Sequence, residues 1–202
     1  LELNSENNRD ERSRYLLVEN RKVENYVDMA LYYARMDAVY KDYMIAETNL
    51  QEVAQQVLLQ NKYYLIQSHV KAEVACPDTV YSDKKWIAFI LNQLIQNSVK
   101  YGRSEGTHIQ IVTKKTKSGV LLRVKDDGIG IPKEEIPRIF EKGFTGTNGR
   151  NRERSTGMGL YLCRKLCDKL NIEIRAESAE GKGTEIILMF PVSDYLTGYR
   201  ET

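Results

Sequence analysis

The amino-acid sequence predicts an α+β protein. The expected architecture is a two-layer α/β sandwich, with a mixed, mostly antiparallel sheet, helices on one face, and a long helix leading into it. Three observations carry this expectation. Residues 12–39 contain neither Gly nor Pro, and Leu16, Val23, Tyr26, Ala30 and Tyr33 recur at spacings of seven, three, four and three. That is the apolar seam of a long helix. Further on, alternating segments are joined by tight turns at Ser118-Gly119 and Gly181-Lys182-Gly183, which favours antiparallel pairing. Finally, the order runs helix, strands, helix, hairpin, loops, helix, hairpin. That is not a βαβ alternation, and helices crossing to one face of such a sheet give two layers.

The elements follow in order. Residues 1–11 are polar and read as a loop. The helix over about 12–39, widened by Val27 and Ala34, has no antiparallel partner nearby in the sequence. It either lies on the main domain or belongs to a bundle whose other members are elsewhere, and the second reading is preferred. Residues 40–48 read as a connector. A helix is expected over about 50–66, with Val53, Ala54, Val57, Leu58 and Leu65 on one side. Strands are expected at 69–75 and 79–82. A helix then runs from the capping residue Asp83 to Tyr101. The segment His108-Ile109-Gln110-Ile111 alternates and Val120 to Val124 returns beside it. A short helix near 133–139 interrupts a glycine-rich stretch. The chain closes with a helix at about 158–170 and strands at about 172–178 and 184–190.

A formal net charge of +2 over 202 residues gives no electrostatic case for nucleic acid. No run approaches the roughly 18 apolar residues of a membrane span. No signal peptide is visible, and the chain begins with Leu1, as an excised piece of a longer protein would. The three cysteines, Cys76, Cys163 and Cys167, lack a disulfide framework and point to a reducing compartment. Cys163 and Cys167 share a helix face and are read as buried and structural; a metal site would need two more ligands, and the only histidines are His69 and His108.

Three segments carry chemistry. Gln93, Asn97, Lys100 and Tyr101 fall on one helical face beside the apolar Ile90, Leu91, Leu94, Ile95 and Val99. An amide oxygen can coordinate Mg²⁺, a lysine can meet phosphate, and a tyrosine can stack on a base. The strand end Asp126-Asp127-Gly128-Ile129-Gly130-Ile131 places two glycines after a carboxylate, which permits a tight turn and close approach to a flat ligand. Thr156-Gly157-Met158-Gly159-Leu160 opens a helix, where exposed N–H groups favour an anion. The segment before it, from Glu141 to Arg154, holds Gly143, Gly146 and Gly149 with Lys142, Arg150, Arg152 and Arg154, and suits a lid over a polyphosphate. Each has an ordinary alternative: a solvated helix face, a plain Asp-Gly turn, a basic loop. A GxxxxGK[ST] phosphate loop is absent, which excludes a P-loop enzyme.

Taken together, the asparagine helix, the Asp-x-Gly-x-Gly-Ile turn, Arg138-Ile139-Phe140 with Phe144, and the Gly-x-Gly-Leu helix start resemble the N, G1, F and G2 boxes of the GHKL ATPases. The resemblance covers about 50–190 and is greatest to the sensor histidine kinases. It implies the Bergerat-type ATP-binding fold over 46–192 and a C-terminal tail at 193–202. Residues 1–45 would be a partial dimerisation and histidine-phosphotransfer region holding only the second bundle helix. The Ala-Leu-Tyr-Tyr-Ala-Arg run at 30–35 is similar to that of small membrane-embedded kinases that respond to cell-envelope stress and antimicrobial peptides.

The resemblance also implies roles. Asn97 would hold Mg²⁺ between the phosphates of ATP, with Gln93 and Asn97 the catalytic pair. Lys100 would contact phosphate and Tyr101 would lie against the nucleotide. Asp126 would read the adenine amino group, with Gly128 and Gly130 giving room. Gly157, Gly159 and Leu160 would present N–H groups to the phosphates, and Phe140 and Phe144 would anchor the lid hinge. Ile131, Lys142, Thr156, Met158 and Thr184 would complete the nucleotide site. Implied partners are ATP or ADP, a response regulator, and a second copy through the bundle helices. The membrane would be reached only through upstream segments, making this the cytoplasmic portion of a bacterial membrane sensor.

Two departures and one absence qualify the resemblance. Gln93 stands where most sensor kinases have Asn and hydrolytic relatives have Glu. A glutamine cannot act as a general base, which disfavours simple hydrolysis. Ser155 stands where the family often has a third glycine. Neither His69 nor His108 lies on an expected bundle helix, so the phosphoacceptor histidine is expected upstream. Two further readings stay open: a non-catalytic switch that uses ATP only conformationally, and a serine-directed relative such as an anti-sigma kinase. Intact Asn97 and Asp126 argue against the first, and the seam helix with the long basic lid against the second.

Overall fold

The computed structural model describes residues 43–147 and 156–192, and within 13–33 a subset that is helical throughout. The seam residue Ala34, the Gly149 to Ser155 part of the lid and the segments 1–11 and 193–202 lie outside the described residues.

Strand β1 (Ala46–Asn49) leads into helix α1 (Leu50–Gln60), and α2 (Lys62–Gln67) follows. Strands β2 (Val70–Ala75) and β3 (Thr79–Ser82) precede the long helix α3 (Lys84–Lys100). The hairpin β4 (Thr107–Thr116) and β5 (Gly119–Asp126) comes next. A 3-10 turn (Ile136–Arg138), helix α4 (Gly159–Lys169) and the hairpin β6 (Glu173–Ser178) and β7 (Thr184–Pro191) complete the chain. The main sheet has five strands in the order β2-β4-β5-β7-β6, and β1 pairs with β3 in a separate two-stranded sheet. Only the β2–β4 pair is parallel in the main sheet. The two-layer, mostly antiparallel expectation therefore holds.

Period-two alternation decides which side chains enter the core. Ile109 and Ile111 of β4, Val120, Leu122 and Val124 of β5, and Ile186, Leu188 and Phe190 of β7 are buried. The register aligns them in rows, with Ile111 opposite Val124 and Val124 opposite Ile186. Helices cover this face with apolar stripes. The stripe is Leu50, Val53, Ala54 and Val57 on α1, Ile87, Ile90, Leu91, Leu94 and Ile95 on α3, and Leu162, Cys163, Leu166 and Cys167 on α4. The cysteines are free and buried, as expected of structural residues. Desolvation pushes the Cys167 thiol up to about 12 and that of Cys76 up to about 11, so neither is a reactive thiolate.

Four expectations need correction. The helix expected over 50–66 is two helices broken at Asn61, whose buried amide donates to the Val57 carbonyl and to Asn92 Oδ1, both at 2.8 Å. The connector over 40–48 runs into β1, which pairs residue for residue with β3 from Ala46↔Ser82 to Asn49↔Thr79. His69 is not on a strand: it turns the chain between α2 and β2 at φ 54°. The short helix near 133–139 is only the 3-10 turn at 136–138.

The start of α3 is as anticipated. Asp83 caps α3 by accepting from Lys85 N at 2.9 Å and Trp86 N at 3.3 Å, and its other oxygen accepts from Met44 N at 2.8 Å. Of the described amino-terminal helix, Met29 and Tyr32 pack against the core. The seam residues Leu16, Val23, Tyr26 and Val27 stay exposed. Among the described residues no helix is long and apolar enough to cross a membrane.

Leu122 is fully buried at the centre of the sheet. Leu122→Ala is expected to lower unfolding free energy by about 2–5 kcal/mol, read by urea denaturation. A loss below about 1 kcal/mol would mean that the central strand is not packed as described.

Candidate functional site

The site grows from one consequence of strand parity. Counting inward positions along β5 from Val120 through Leu122 and Val124 brings the next one to Asp126, so the strand ends with a carboxylate on the core side. Asp126 is 9% exposed and lies opposite Ile109 on β4 and Thr184 on β7. Its Oδ1 accepts from Gly128 N at 3.0 Å and Thr184 N at 3.2 Å, and its Oδ2 accepts from the buried Ser98 hydroxyl at 2.9 Å. Oδ1 has both lone pairs used and Oδ2 keeps one.

Desolvation raises the Asp126 pKa, against the lowering effect of those three hydrogen bonds. A raised carboxylate pKa means that the ionised form costs stability. The cost is fully present above the folded-state pKa and disappears as pH falls through it towards the unfolded value.

The turn after Asp126 is held from three sides. Ile129 N donates to the Tyr101 carbonyl at 3.0 Å, and Gly181 N donates to the Ile129 carbonyl at 2.7 Å. Arg103 donates to the carbonyls of Asp127 at 2.8 Å and Gly181 at 2.5 Å. The glycines are required by this crowding. A Cβ on Gly128 would lie 2.5 Å from the Tyr101 carbonyl oxygen, and Gly130, at φ +69°, would meet the Ala179 oxygen at 2.0 Å.

A cavity of about 110 Å³ opens beside the carboxylate. Of the residues singled out in the sequence, Asn97, Tyr101, Asp126, Gly130, Ile131, Phe144, Leu160 and Thr184 line it. Its walls are largely apolar, including Leu94, Ile139 and Ile186, which suits a flat, mostly apolar ring with one donor to match the carboxylate. A second, larger space of about 530 Å³ adjoins it and is lined by Gln93, Asn97, Lys100, Tyr101, Phe144, Thr156, Gly157, Gly159 and Leu160. Asn97, Tyr101, Phe144 and Leu160 border both. The larger space also meets Tyr15, Glu19, Val23 and Tyr26 of the amino-terminal helix.

This second space has the chemistry of an anion site. It includes the N-terminus of α4, an eleven-residue helix with no side-chain cap among the described residues, whose first-turn N–H groups have no partner within the helix and whose dipole points there. It also includes a lysine and a buried donor without a partner: Gln93 is 5% exposed, and its Nε2 has no hydrogen-bond partner among the described residues. A Cβ on Gly159 would lie 2.8 Å from Gln93 Oε1, so the glycine lets the amide approach the helix start. Gly157, at φ +64°, packs against Gly143, whose N–H donates to the Gly157 carbonyl at 3.1 Å. Among the described residues no three His, Cys, Asp or Glu side chains are grouped to hold a metal. A Mg²⁺ ion here would need Asn97 and the phosphates themselves.

Gly128, Phe140, Lys142 and Met158 line neither space. Gly128 acts through the turn. Phe140 packs on the core beneath the Arg164 guanidinium, 4.7 Å from its ring. Lys142 donates to the Tyr33 hydroxyl. Met158 precedes α4, its N–H bonded to Thr156 Oγ1 at 3.3 Å. Sequence reasoning missed Ser98, Arg103 and Glu135. Glu135 lines the smaller cavity and its Oε1 accepts from Thr147 N at 2.8 Å and Thr147 Oγ1 at 2.6 Å, tying down the start of the lid. Ser98 follows Asn97 in the sequence, and its place on the core face of α3 was the available signal.

Residues 82–194 match the family described as histidine kinase-, DNA gyrase B- and HSP90-like ATPase. The sensor histidine kinase YxdK of Bacillus subtilis is 34% identical over 174 residues, 85% of this chain and 54% of YxdK. The sensor protein kinase GraS of Staphylococcus aureus is 36% identical over 189 residues, 91% of this chain and 53% of GraS. The chain thus spans about half the length of these relatives. Histidine kinase ThkA, solved in complex with the response regulator protein TrrA, shares the fold, with a TM-score of 0.64, 23% identity, and coverage of 88% of this chain and 49% of that one. The five-stranded mixed sheet with its covering helices is the fold of histidine-kinase catalytic domains, and the chain belongs to the histidine kinase-, DNA gyrase B- and HSP90-like ATPase family.

Proposed function

We propose that this chain is the ATP-binding catalytic part of a sensor histidine kinase, holding Mg-ATP so that the γ-phosphoryl group passes to a histidine on a bundle helix. The observation that carries this reading is the buried Asp126 carboxylate, with an unfilled lone pair on Oδ2, at the wall of an apolar cavity. An adenine amino group is a donor of matching chemistry. The adjoining space supplies the Gln93 amide, Lys100 and the α4 N-terminus for the phosphates.

The residues divide the work. Asp126 fixes the base, Tyr101 lies beside the nucleotide, and the α4 start holds the phosphates from one side. Asn97 offers a neutral oxygen ligand, and a Mg²⁺ ion bound there would offset phosphate charge. Gln93 has no proton-accepting group suited to activating water at neutral pH. Its buried amide donor instead helps to hold the phosphoryl group for a stronger nucleophile. The acceptor would be a bundle-helix histidine, with a response regulator taking the group afterwards; ThkA, solved with TrrA, is a precedent for that partnership. The exposed seam of the amino-terminal helix is the surface for pairing with a bundle in a homodimer. In the same reading this chain forms the cytoplasmic part of a membrane-attached sensor.

Calorimetry of the chain with ADP and Mg²⁺ tests the reading. Asp126→Asn places an amide donor against the base amino group and is expected to weaken binding by at least about 10-fold. The same variant keeps an acceptor for Gly128 and Thr184, and the Ser98 hydroxyl can reverse to donate nothing and accept instead. With the desolvated charge gone, its thermal stability at pH 7 should equal or exceed that of the parent chain. Unchanged affinity would remove Asp126 from the base site, and a grossly unstable variant would make the carboxylate a structural element.

Asn97→Ala should abolish the dependence of ADP binding on Mg²⁺. Persistent metal dependence would place the metal elsewhere. Transfer of label from γ-labelled ATP to an added first bundle helix checks the kinase activity itself, and none from a nucleotide-bound protein would favour a binding switch.

A further inference from the structure

Arg103 follows the C-terminal cap of α3, Tyr101, by two residues. Its backbone is pinned to the start of β4. Arg103 N donates to the Thr107 hydroxyl at 2.9 Å, and Gly106 N donates to the Arg103 carbonyl at 3.2 Å. Thr107 is itself buried, and a Cβ on Gly102 would lie 2.2 Å from its hydroxyl. The exposed Arg103 side chain therefore extends from a fixed base.

The guanidinium bridges two turns. Nε donates to the Asp127 carbonyl at 2.8 Å and Nη2 to the Gly181 carbonyl at 2.5 Å. Neither bond is to a carboxylate, so what the side chain contributes is the planar fork, which sets the directions of two donors at once.

Those two turns deliver both backbone donors of Asp126 Oδ1. Gly128, next to Asp127, supplies one N–H, and Thr184, at the end of the Gly181-Lys182-Gly183 turn, supplies the other. The turns touch elsewhere as well. Gly181 N donates to the Ile129 carbonyl at 2.7 Å, and a Cβ on Gly183 would meet the Asp126 carbonyl oxygen at 2.0 Å. If the turns part, Gly128 N and Thr184 N separate, and the carboxylate is left to swing about its bond from Ser98.

Arg103 lines neither space, whereas Tyr101, Asp126, Gly130 and Thr184 all line the smaller cavity. It sits outside the site and fastens two of its walls together. Its bonds are solvent-exposed, so the two carbonyls can turn to water when the side chain is removed, and no buried group is orphaned. Loss of Arg103 is therefore a loss of alignment more than of stability.

We infer that Arg103 is a positioning residue for base selection: by bridging the Asp127 and Gly181 carbonyls it holds the Asp126 carboxylate in line for a base that carries an amino donor, without touching the nucleotide. This rests on the nucleotide reading of the site given above. A precisely held carboxylate gains most from the matching donor and penalises most an acceptor placed against it. A loosened one binds the right base less well and turns away from the wrong one, so the contrast between the two shrinks.

The test uses the whole 202-residue chain with Mg²⁺. ADP affinity is read by calorimetry, inosine diphosphate by competition with ADP, and the melting temperature is recorded for every variant. Arg103→Ala is expected to weaken ADP binding about three- to ten-fold and inosine diphosphate binding less, so that the ratio between them narrows. Arg103→Lys keeps the charge and lacks the fork, and it should narrow the ratio nearly as much. Lys182→Ala removes a cation from the same turn and leaves the bridge, and it should keep the parent ratio.

An unchanged ratio in Arg103→Ala would overturn the inference, whatever happens to the melting temperature, because a merely stabilising arginine would move only the latter. Full retention of the ratio by Arg103→Lys, or an equal narrowing by Lys182→Ala, would also overturn it, by making charge and not the bridge the cause. A parent chain that binds no ADP, or that binds both nucleotides equally, would instead overturn the functional reading beneath it.

Discussion

The burial of one carboxylate at the end of a central strand is the constraint around which the rest is arranged. Asp126 is on the core face because β5 alternates inward at Val120, Leu122 and Val124, and the parity does not change before the strand ends. A desolvated charge is tolerable only with hydrogen bonds, and here the donors come from three places: the turn at Gly128, the start of β7 at Thr184, and α3 at Ser98. Each donor fixes a different element relative to the sheet. The price of the buried charge is a destabilisation above its raised pKa, and such costs gather at sites that need them.

The glycines follow from the same closeness. The turn after Asp126 runs under the Tyr101 carbonyl and against Ala179, leaving no room for a Cβ at Gly128 or Gly130. At the other end of the site, Gly157 and Gly159 allow the Gly143 backbone and the Gln93 amide to approach the start of α4. The smaller apolar cavity and the larger space are thus two ends of one groove, bordered in common by Asn97, Tyr101, Phe144 and Leu160. Its floor is the sheet, and its wider end opens towards the amino-terminal helix.

Much of this was legible in the sequence because it is local. The Asp-x-Gly-x-Gly turn, the helical face with Gln93 and Asn97, and the Gly-x-Gly helix start each occupy a few consecutive residues, and period 2 or 3.6 assigns their faces. What escaped depends on partners far along the chain. The periodic stripe continues through Asn61, so nothing local marks the break that its bond to Asn92 fixes. The four-residue β1 gains its identity only from β3. Ser98 is an unremarkable helix residue until Asp126, 28 positions later, comes to rest against it. Glu135 reads as surface charge until Thr147 bonds to it, and Tyr33 reads as seam until Lys142 reaches it.

In the proposed function, the buried Asp126 carboxylate selects the base through its amino group. Comparing ADP with inosine diphosphate by calorimetry under the same Mg²⁺ concentration measures that selection directly. The two bases differ where adenine has an amino donor and hypoxanthine a carbonyl acceptor, which would face the Asp126 oxygen. The expected result is measurable ADP binding and inosine diphosphate binding weaker by about 100-fold or more, the loss set by an acceptor held against a buried charge. Equal affinity for the two would contradict it, leaving Asp126 without its assigned partner.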